Sequence, residues 1–374
     1  MKADVSVVIP LYNAEKFIRV CVDSVLNQTL KDVEVVIVDD CSTDGSLALC
    51  RELYGQNERV RIFQQPKNGG PGAARNRGVR EARGEYIAFL DSDDEMIPCN
   101  LERMFTAAKK YDADVLHTNS VKVMVPLDDG QVPVEMLGHQ DDTFIHVFDI
   151  GEIIKEIQVL PADLSQRLAR WKEGQIHWFM GNKMFRREFI LANDIVFPSV
   201  GLAEDAVFSL QCLMTAKNYV LMPGCWVLFR INPASLTRSA KTVGSTIKSV
   251  QAELEVVKML SELAEKMPFL QDKVNFNAAV DTILDSMEVF SVRYCFQDVG
   301  EKALRESKDF SALFNEKFGD NAPYVEFLFY QLHEVYPELP KLFFLHIEAL
   351  EEIKRDLKKA HAAGEELIVR RYKL

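Results

Sequence analysis

Several features that would each define a function class are missing from this sequence. No apolar run approaches the roughly 18–20 residues of a membrane-spanning helix. The longest stretch, residues 220–229, is interrupted by Pro223 and Gly224. The N-terminal segment MKADVSVVIPLYNAEK ends its short apolar run at Pro10 and has no cleavage pattern, so no signal peptide is expected. The seven cysteines, at 21, 41, 50, 99, 212, 225 and 295, form no CxxC pair. That spacing supports neither a disulfide framework nor a zinc site, and buried thiols in a reducing cytoplasm are expected. Excess positive charge is absent too. Lys and Arg number 44 against 56 Asp and Glu, a net charge of −12. Such a chain is not expected to grip nucleic acid over its surface. It can still hold an anionic nucleotide locally, through a metal ion or helix N-termini. Finally, GxxxxGK[ST], GxSxG and HExxH do not occur. In Gly70-Pro71-Gly72-Ala73-Ala74-Arg75 an arginine stands where a dinucleotide fingerprint has its third glycine. P-loop hydrolysis, esterase chemistry and hydride transfer lose their main supports.

The 374 residues are 48% hydrophobic and 27% charged, the composition of a globular protein of two or three domains. The first 120 residues alternate strand and helix signals. Val5–Ile9, Val33–Val38, Val60–Phe63 and Tyr86–Leu90 read as strands. Between them, helices carry Phe17, Ile18, Cys21 and Val25 after an N-cap at Asn13, then Leu47, Cys50 and Leu53 after a cap near Asp44, then Ala73–Ala82. A further helix from Asn100 leads into a strand at Ala113–His117. This alternation predicts a mainly parallel sheet covered on both faces. Val121–Val125 is expected to be an edge strand, and the following stretch to Trp171 is mixed. A helix is expected over Asn182–Ala192, another from Ala203 through Leu213, then strands at Tyr219–Met222 and Trp226–Arg230. From about residue 244 the pattern is helical, over 246–267, 275–297, 323–335 and 342–361.

In open α/β sheets, ligands bind at the carboxyl ends of the strands. Polar clusters fall there four times: Tyr12-Asn13, Asp39-Asp40, Asn68 to Asn76, and Asp91 to Asp94. Asp91-Ser92-Asp93 places two carboxylates in one turn after a strand. Their oxygens suit hard divalent cations such as Mn²⁺ or Mg²⁺, which can bridge to a diphosphate.

The stretch Val5 to Asp94 resembles the donor-binding half of family 2 glycosyltransferases of the GT-A fold. The matching segments are Val7-Val8-Ile9-Pro10-Leu11-Tyr12-Asn13, Val36-Ile37-Val38-Asp39-Asp40-Cys41-Ser42-Thr43-Asp44-Gly45-Ser46, Asn68-Gly69-Gly70-Pro71-Gly72-Ala73-Ala74-Arg75-Asn76-Arg77-Gly78, and Gly84-Glu85-Tyr86-Ile87-Ala88-Phe89-Leu90-Asp91-Ser92-Asp93-Asp94. Cys41 departs from the pattern, because the family usually has glycine there, and its Cβ is expected to restrict the turn. The resemblance implies a nucleoside-diphosphate sugar donor, UDP-linked, and a divalent cation. It implies that Tyr12 stacks on the base, that Pro10 shapes the pocket wall, and that Asp39 accepts the imide N–H of uracil. It further implies that Asn13, Asn68 and Gly72 line the pocket, that Arg75 contacts base or phosphates, and that Asp91 and Ser92 hold ribose or metal-bound water. Asp93 would ligate the metal. Asp40 and Asp44 are expected to be turn and cap residues, Asn76 a brace of its loop, and Arg77 a surface residue.

Inverting transfer needs one general base facing the donor from another segment. Glu204-Asp205 and its surroundings from Asn182 resemble the acceptor half of the same family. The resemblance makes Asp205 the base, with Glu204 orienting the acceptor. The loop 230–238 resembles one that can close over the donor, and Arg238 or Lys241 would pair with the diphosphate. His177-Trp178 is a candidate acceptor platform, although packed aromatics are the commoner outcome. The acceptor would be a glycan or lipid-linked hydroxyl in cell-surface polysaccharide synthesis. A cytoplasmic enzyme follows, with peripheral contact at the inner face of the membrane and homo-oligomers both compatible. The charged tail 347–372 fits a packing or dimer helix better than a membrane one. A sugar nucleotidyltransferase is the competing enzyme class. It would want a glycine-rich basic loop where Leu11-Tyr12-Asn13-Ala14-Glu15 stands. A non-catalytic nucleotide-sugar binding module is the third reading. The expected architecture is a GT-A catalytic domain over 1–240, split at 120 into donor and acceptor halves, and a helical domain over 241–374.

Overall fold

Residues 3–118, 121–125, 148–149, 154, 156–199, 203–224, 227–230, 242–286, 299, 301–319 and 322 are described by a computed structural model. The chain divides into two compact units, Met1–Ser235 and Leu236–Leu374.

The first unit is built on an eight-stranded sheet of order β3-β2-β1-β4-β10-β6-β11-β9. Its strands are β1 (Val5–Leu11), β2 (Val33–Asp39), β3 (Val60–Gln64), β4 (Tyr86–Phe89), β6 (Val115–Thr118), β9 (Gln158–Val159), β10 (Lys183–Arg186) and β11 (Tyr219–Met222). The β-branched runs of β1 and β2 are buried at every position, as central parallel strands must be when helices cover both faces. They pair in parallel, Val5 opposite Val33 through to Leu11 opposite Asp39, so both strands end together at Leu11 and Asp39. β4 pairs only with Val5–Val8 of β1. Pro10 therefore lies beyond the β4 ladder, where its missing N–H costs little.

The helices of this unit are α1 (Ile18–Leu26), α2 (Ser46–Tyr54), α3 (Gly70–Glu81), α4 (Asn100–Lys110), α5 (Leu164–Lys172), α6 (Arg187–Ala192) and α7 (Glu204–Thr215). α3 lies close against β1: a Cβ at Gly78 would come within 2.2 Å of Val8 Cγ1.

Three expectations change. Met184 and Phe185 belong to strand β10, not to a helix, and only Arg187–Ala192 is helical. β10 runs antiparallel between β4 and β6, with Met184 opposite both Ala88 and Leu116. A short apolar run cannot separate buried strand from buried helix by itself. Val121–Val125 (β7) is not an edge. It sits between β12 (Val227–Arg230) and β8 (Phe148–Asp149) in a second sheet of order β5-β12-β7-β8, where β5 is Glu95–Met96. Asn13 does not cap α1, which starts at Ile18 after Phe17.

The second unit is helical in its described part: α8 (Val243–Lys266), α9 (Pro268–Gln271), α10 (Lys273–Ser286), α11 (Glu301–Arg305) and α12 (Lys308–Phe318). Thr242 and Ser245 close a capping box at the start of α8. Val250, Val256, Leu260, Val280, Ile283, Phe310 and Phe314 are buried within the unit. The helices expected at 323–335 and 342–361, and the tail 347–372, lie outside the described residues.

Candidate active site

The ends of β1, β2 and β4 bring the polar clusters together. At the end of β1, Tyr12 is 51% exposed, unusual for a large aromatic ring and suited to stacking. Asn13 is left-handed, φ +49°, which an Asx side chain tolerates. Its Oδ1 accepts the Thr43 N–H at 2.7 Å, and its own N–H donates to Ser42 Oγ at 3.1 Å. Asn13 thus pins the turn after β2. Asp44 accepts the Ser46 N–H at 2.9 Å at the start of α2, the capping role expected of it.

Asp39, the last residue of β2, is fully buried. One carboxylate oxygen accepts the Ser42 N–H at 3.2 Å, and the other, Oδ2, has no partner among the described residues. A buried acceptor without a donor is rare in folded proteins, and it suits a ligand N–H. Asp40 turns the other way. It accepts the Gly69 N–H at 2.9 Å and the Gly70 N–H at 2.7 Å, so it caps α3, while Asn68 Nδ2 donates to the Asp40 carbonyl at 3.0 Å. α3 begins at Gly70, three residues before the expected start, with Pro71 in its first turn. Cys41 has φ +64°, the left-handed region that favours glycine. Its Cβ therefore carries a steric cost of roughly 1–2 kcal/mol. Its thiol donates to the Gln65 carbonyl at 3.3 Å.

One face of α3 meets the segment leading to α7. Gly72, Arg75 and Asn76 lie at the i, i+3 and i+4 spacing of one helix face. A Cβ at Gly72 would lie 3.0 Å from Glu204 Cγ and 3.2 Å from both Phe197 Cβ and the Pro198 carbonyl. Asn76 donates to the Phe197 carbonyl at 2.7 Å and accepts the Phe197 N–H at 2.8 Å. Arg75 donates to Glu204 Oε1 at 3.0 Å and to Asp91 Oδ1 at 2.8 Å, with its guanidinium over the Phe197 ring. Phe197 in turn stacks on Phe208 of α7, centroids 3.9 Å apart. Burial works against the Arg75 charge, but Asp91, Glu204 and Asp205 outweigh it and raise its pKa further.

Asp205 is half-buried, one residue beyond the α7 N-terminus, and its Oδ1 accepts the Ala206 N–H at 2.9 Å. Burial and then the Glu204 charge push its carboxyl up to about 7, against the opposing pull of Arg75. A base with that value is poised near neutral pH. Lys183 of β10 is the buried cation that feels the Asp205 charge. Burial brings its ammonium down to about 7, and Asp205 opposes that shift. Its Nζ donates to the His177 carbonyl, to the Phe179 carbonyl at 2.5 Å and to Asn182 Oδ1 at 3.0 Å. Asn182 Nδ2 contacts His117 Nε2 at 3.0 Å, and His117 Nδ1 contacts the Tyr219 hydroxyl at 3.0 Å. This buried chain went unread in the sequence. Its one signal was a lysine flanked by Asn182 and the apolar Met184. The His177 and Trp178 rings stand 5.1 Å apart at 32°, both half-buried, and Ser209 of α7 donates to the Trp178 carbonyl at 3.1 Å.

The acidic turn follows β4, closed by the Asp94 N–H donating to the Asp91 carbonyl at 3.0 Å. Burial and then the charges of Asp94, Asp93 and Asp91 push the neighbouring Cys21 thiol upward, so negative potential concentrates at this turn. Among the described residues no three His, Cys, Asp or Glu side chains form a ready metal cage. The donor set nonetheless fits a hard cation that takes further oxygens from its ligand. Arg77 is half-buried, with its guanidinium over the Phe63 ring. Arg238 lies outside the described residues. No helix among the described residues is long and apolar enough to cross a membrane.

Residues 6–188, just under half of the chain, match the sequence model of Glycosyl transferase family 2. The Bacillus subtilis glycosyltransferase EpsJ is 29% identical over 237 residues, 62% of this chain and 62% of EpsJ. The poly(ribitol-phosphate) beta-glucosyltransferase of Bacillus spizizenii is 31% identical over 218 residues, 57% of this chain and 30% of that protein. The chain thus spans less than two thirds of these relatives. The fold is shared with S. aureus TarS 1-349 in complex with UDP-GlcNAc, with a TM-score of 0.60 at 19% identity over 96% of this chain and 92% of that one. The architecture is accordingly GT-A, a mostly parallel sheet followed by a helical region.

Proposed function

We propose that this protein is an inverting glycosyltransferase moving a sugar from a nucleoside diphosphate, UDP, to a hydroxyl of a glycan or lipid-linked acceptor. The observation that carries the reading is the meeting of the α7 N-terminus with the donor-side turn, Glu204 and Asp91 sharing Arg75. The TarS structure holds UDP-GlcNAc, and the B. spizizenii relative is named for glucosyl transfer to poly(ribitol phosphate). Both support a nucleotide-sugar donor and a cell-surface polymer as product.

Asp39 Oδ2 accepts the imide N–H of the base, and Tyr12 covers the ring. Pro10, Asn68 and Gly72 shape the walls of the nucleotide pocket. Asp91 and Ser92 take the ribose side. Asp93 holds a divalent cation, Mn²⁺ or Mg²⁺, which when bound stabilises the departing diphosphate by several kcal/mol. Asp205 Oδ2 removes the acceptor proton as the hydroxyl attacks the anomeric carbon from the face opposite the diphosphate. A base so placed contributes about 10²–10⁴-fold. Glu204, held by Arg75, keeps Asp205 basic enough to act. Arg238 pairs with the diphosphate. The enzyme works in the cytoplasm against the inner face of the membrane, with residues 1–240 as its catalytic domain.

The test is donor hydrolysis and sugar transfer by Asp93→Ala and Asp205→Asn across a panel of nucleotide sugars. Both variants should lose at least 100-fold in turnover, and Asp93→Ala should lose cation-dependent UDP binding. Near-wild-type transfer by both overturns the assignment.

A further inference from the structure

We infer that Arg75 is a positioning residue that locks the base-bearing helix α7 to the donor-side carboxylate Asp91, rather than a ligand for base or phosphate. The inference rests on reading Asp205 as the general base. Arg75 exposes 6% of its side chain, which leaves little surface for a nucleotide. Two of its guanidinium nitrogens are committed to Glu204 and Asp91, and its flat face lies over Phe197. Nε has no partner among the described residues. The neighbours on the same helix face serve the same docking. Gly72 lets the Glu204 stem and Phe197 approach, and Asn76 grips both backbone groups of Phe197. The residues 72, 75 and 76 form one seat for 197–204, and Arg75 is its only charged member. An arginine suits this post because its rigid fork can serve two carboxylates at once.

The charges around Asp205 are Glu204 on its own helix, Arg75 on α3, Asp91 after β4 and Lys183 on β10. Removing Arg75 takes away the cation that offsets Glu204 and Asp91, so Asp205 should hold its proton to higher pH. A residue that only filled space would not move that limb.

The experiment compares Arg75→Met, Arg75→Lys and the double variant Arg75→Met/Glu204→Gln with the wild type. UDP affinity with Mn²⁺ is measured by calorimetry, and donor turnover is followed from pH 5.5 to 9. UDP affinity should stay within about threefold in all four. Turnover by Arg75→Met should fall at least 100-fold with its acid limb moved upward. Arg75→Lys should recover part of the rate, and the double variant should return the limb downward. If Arg75→Met does not fold, as judged by its melting curve, the neutral Arg75→Gln is read in its place by the same criteria. A tenfold or greater loss of UDP affinity at unchanged saturated turnover makes Arg75 a ligand contact and overturns the inference alone. So does an unmoved pH limb. A wild type that turns over no donor of the panel overturns the proposed function, and the inference with it.

Discussion

Replacing Glu204 by Gln isolates the electrostatics of the base. In the folded protein Asp205 titrates near 7, against an ordinary value of 3.8, and the Glu204 charge is the largest contributor after burial. Two unit charges about 4 Å apart interact by about 4 kcal/mol at an effective dielectric near 20, and by half that at twice the separation. Arg75 already offsets part of the Glu204 charge. When Glu204 becomes Gln, Arg75 is opposed by Asp91 alone, and more of its charge then pulls Asp205 the same way. The acid limb should move down by on the order of one pH unit, equivalent to about 1.4 kcal/mol. At pH 6 about a tenth of Asp205 is then ionised in the wild type and about half in the variant, while at pH 8 both are almost fully ionised. The variant-to-wild-type rate ratio should therefore be about fivefold higher at pH 6 than at pH 8, whatever the absolute loss. Initial rates of UDP release across that range give the ratio directly. A ratio that is flat with pH, or higher at pH 8, refutes the assignment of the limb to Asp205 under Glu204's influence.

Asp205→Asn should stabilise the fold at alkaline pH. Because the folded value lies above the unfolded one, the contribution of Asp205 to stability falls as pH rises from about 4 to about 7. Melting curves should show no gain for the variant at pH 4 and a gain of up to a few kcal/mol at pH 8. Gly72→Ala should push on Glu204 and Phe197, costing roughly 1–3 kcal/mol by chemical denaturation and lowering turnover more than UDP affinity. Asp39→Asn should weaken UDP binding by roughly 1.5–3 kcal/mol in calorimetry, since it removes a charged acceptor from a buried hydrogen bond.

The donor half was legible because its strands leave little choice. Val33 to Val38 is β-branched at every position except the acidic Glu34, and such a run is best accommodated in a strand. Strand ends then locate the polar clusters without further information. The acceptor half reads less well because its signals are short. Lys183–Arg186 is four residues long and buried between two strands, so periodicity has no room to speak. α5 went unread although Asp163 caps it through the Ser165 and Gln166 N–H groups, an Asp-x-x-Gln start that was available. The ion pairs of Arg75 are illegible for a different reason. Its partners Asp91 and Glu204 lie 16 and 129 residues away, and nothing local to α3 announces them. Asn13 reads as a cap because it stands before an apolar periodicity. The chain instead spends that side chain across thirty residues on the turn after β2.

The cap on α3 has a consequence for where phosphate can sit. A helix start formed by Gly69 and Gly70 would ordinarily be an open berth for an anion. Here the carboxylate of Asp40 already occupies it, taking both glycine N–H groups. The protein has moored one of its own negative charges at the place where a diphosphate would otherwise dock. An incoming diphosphate meets a helix end already neutralised and an acidic turn close by. Inorganic phosphate alone should therefore be a poor competitor for this protein, while a cation-chelated diphosphate should be a good one.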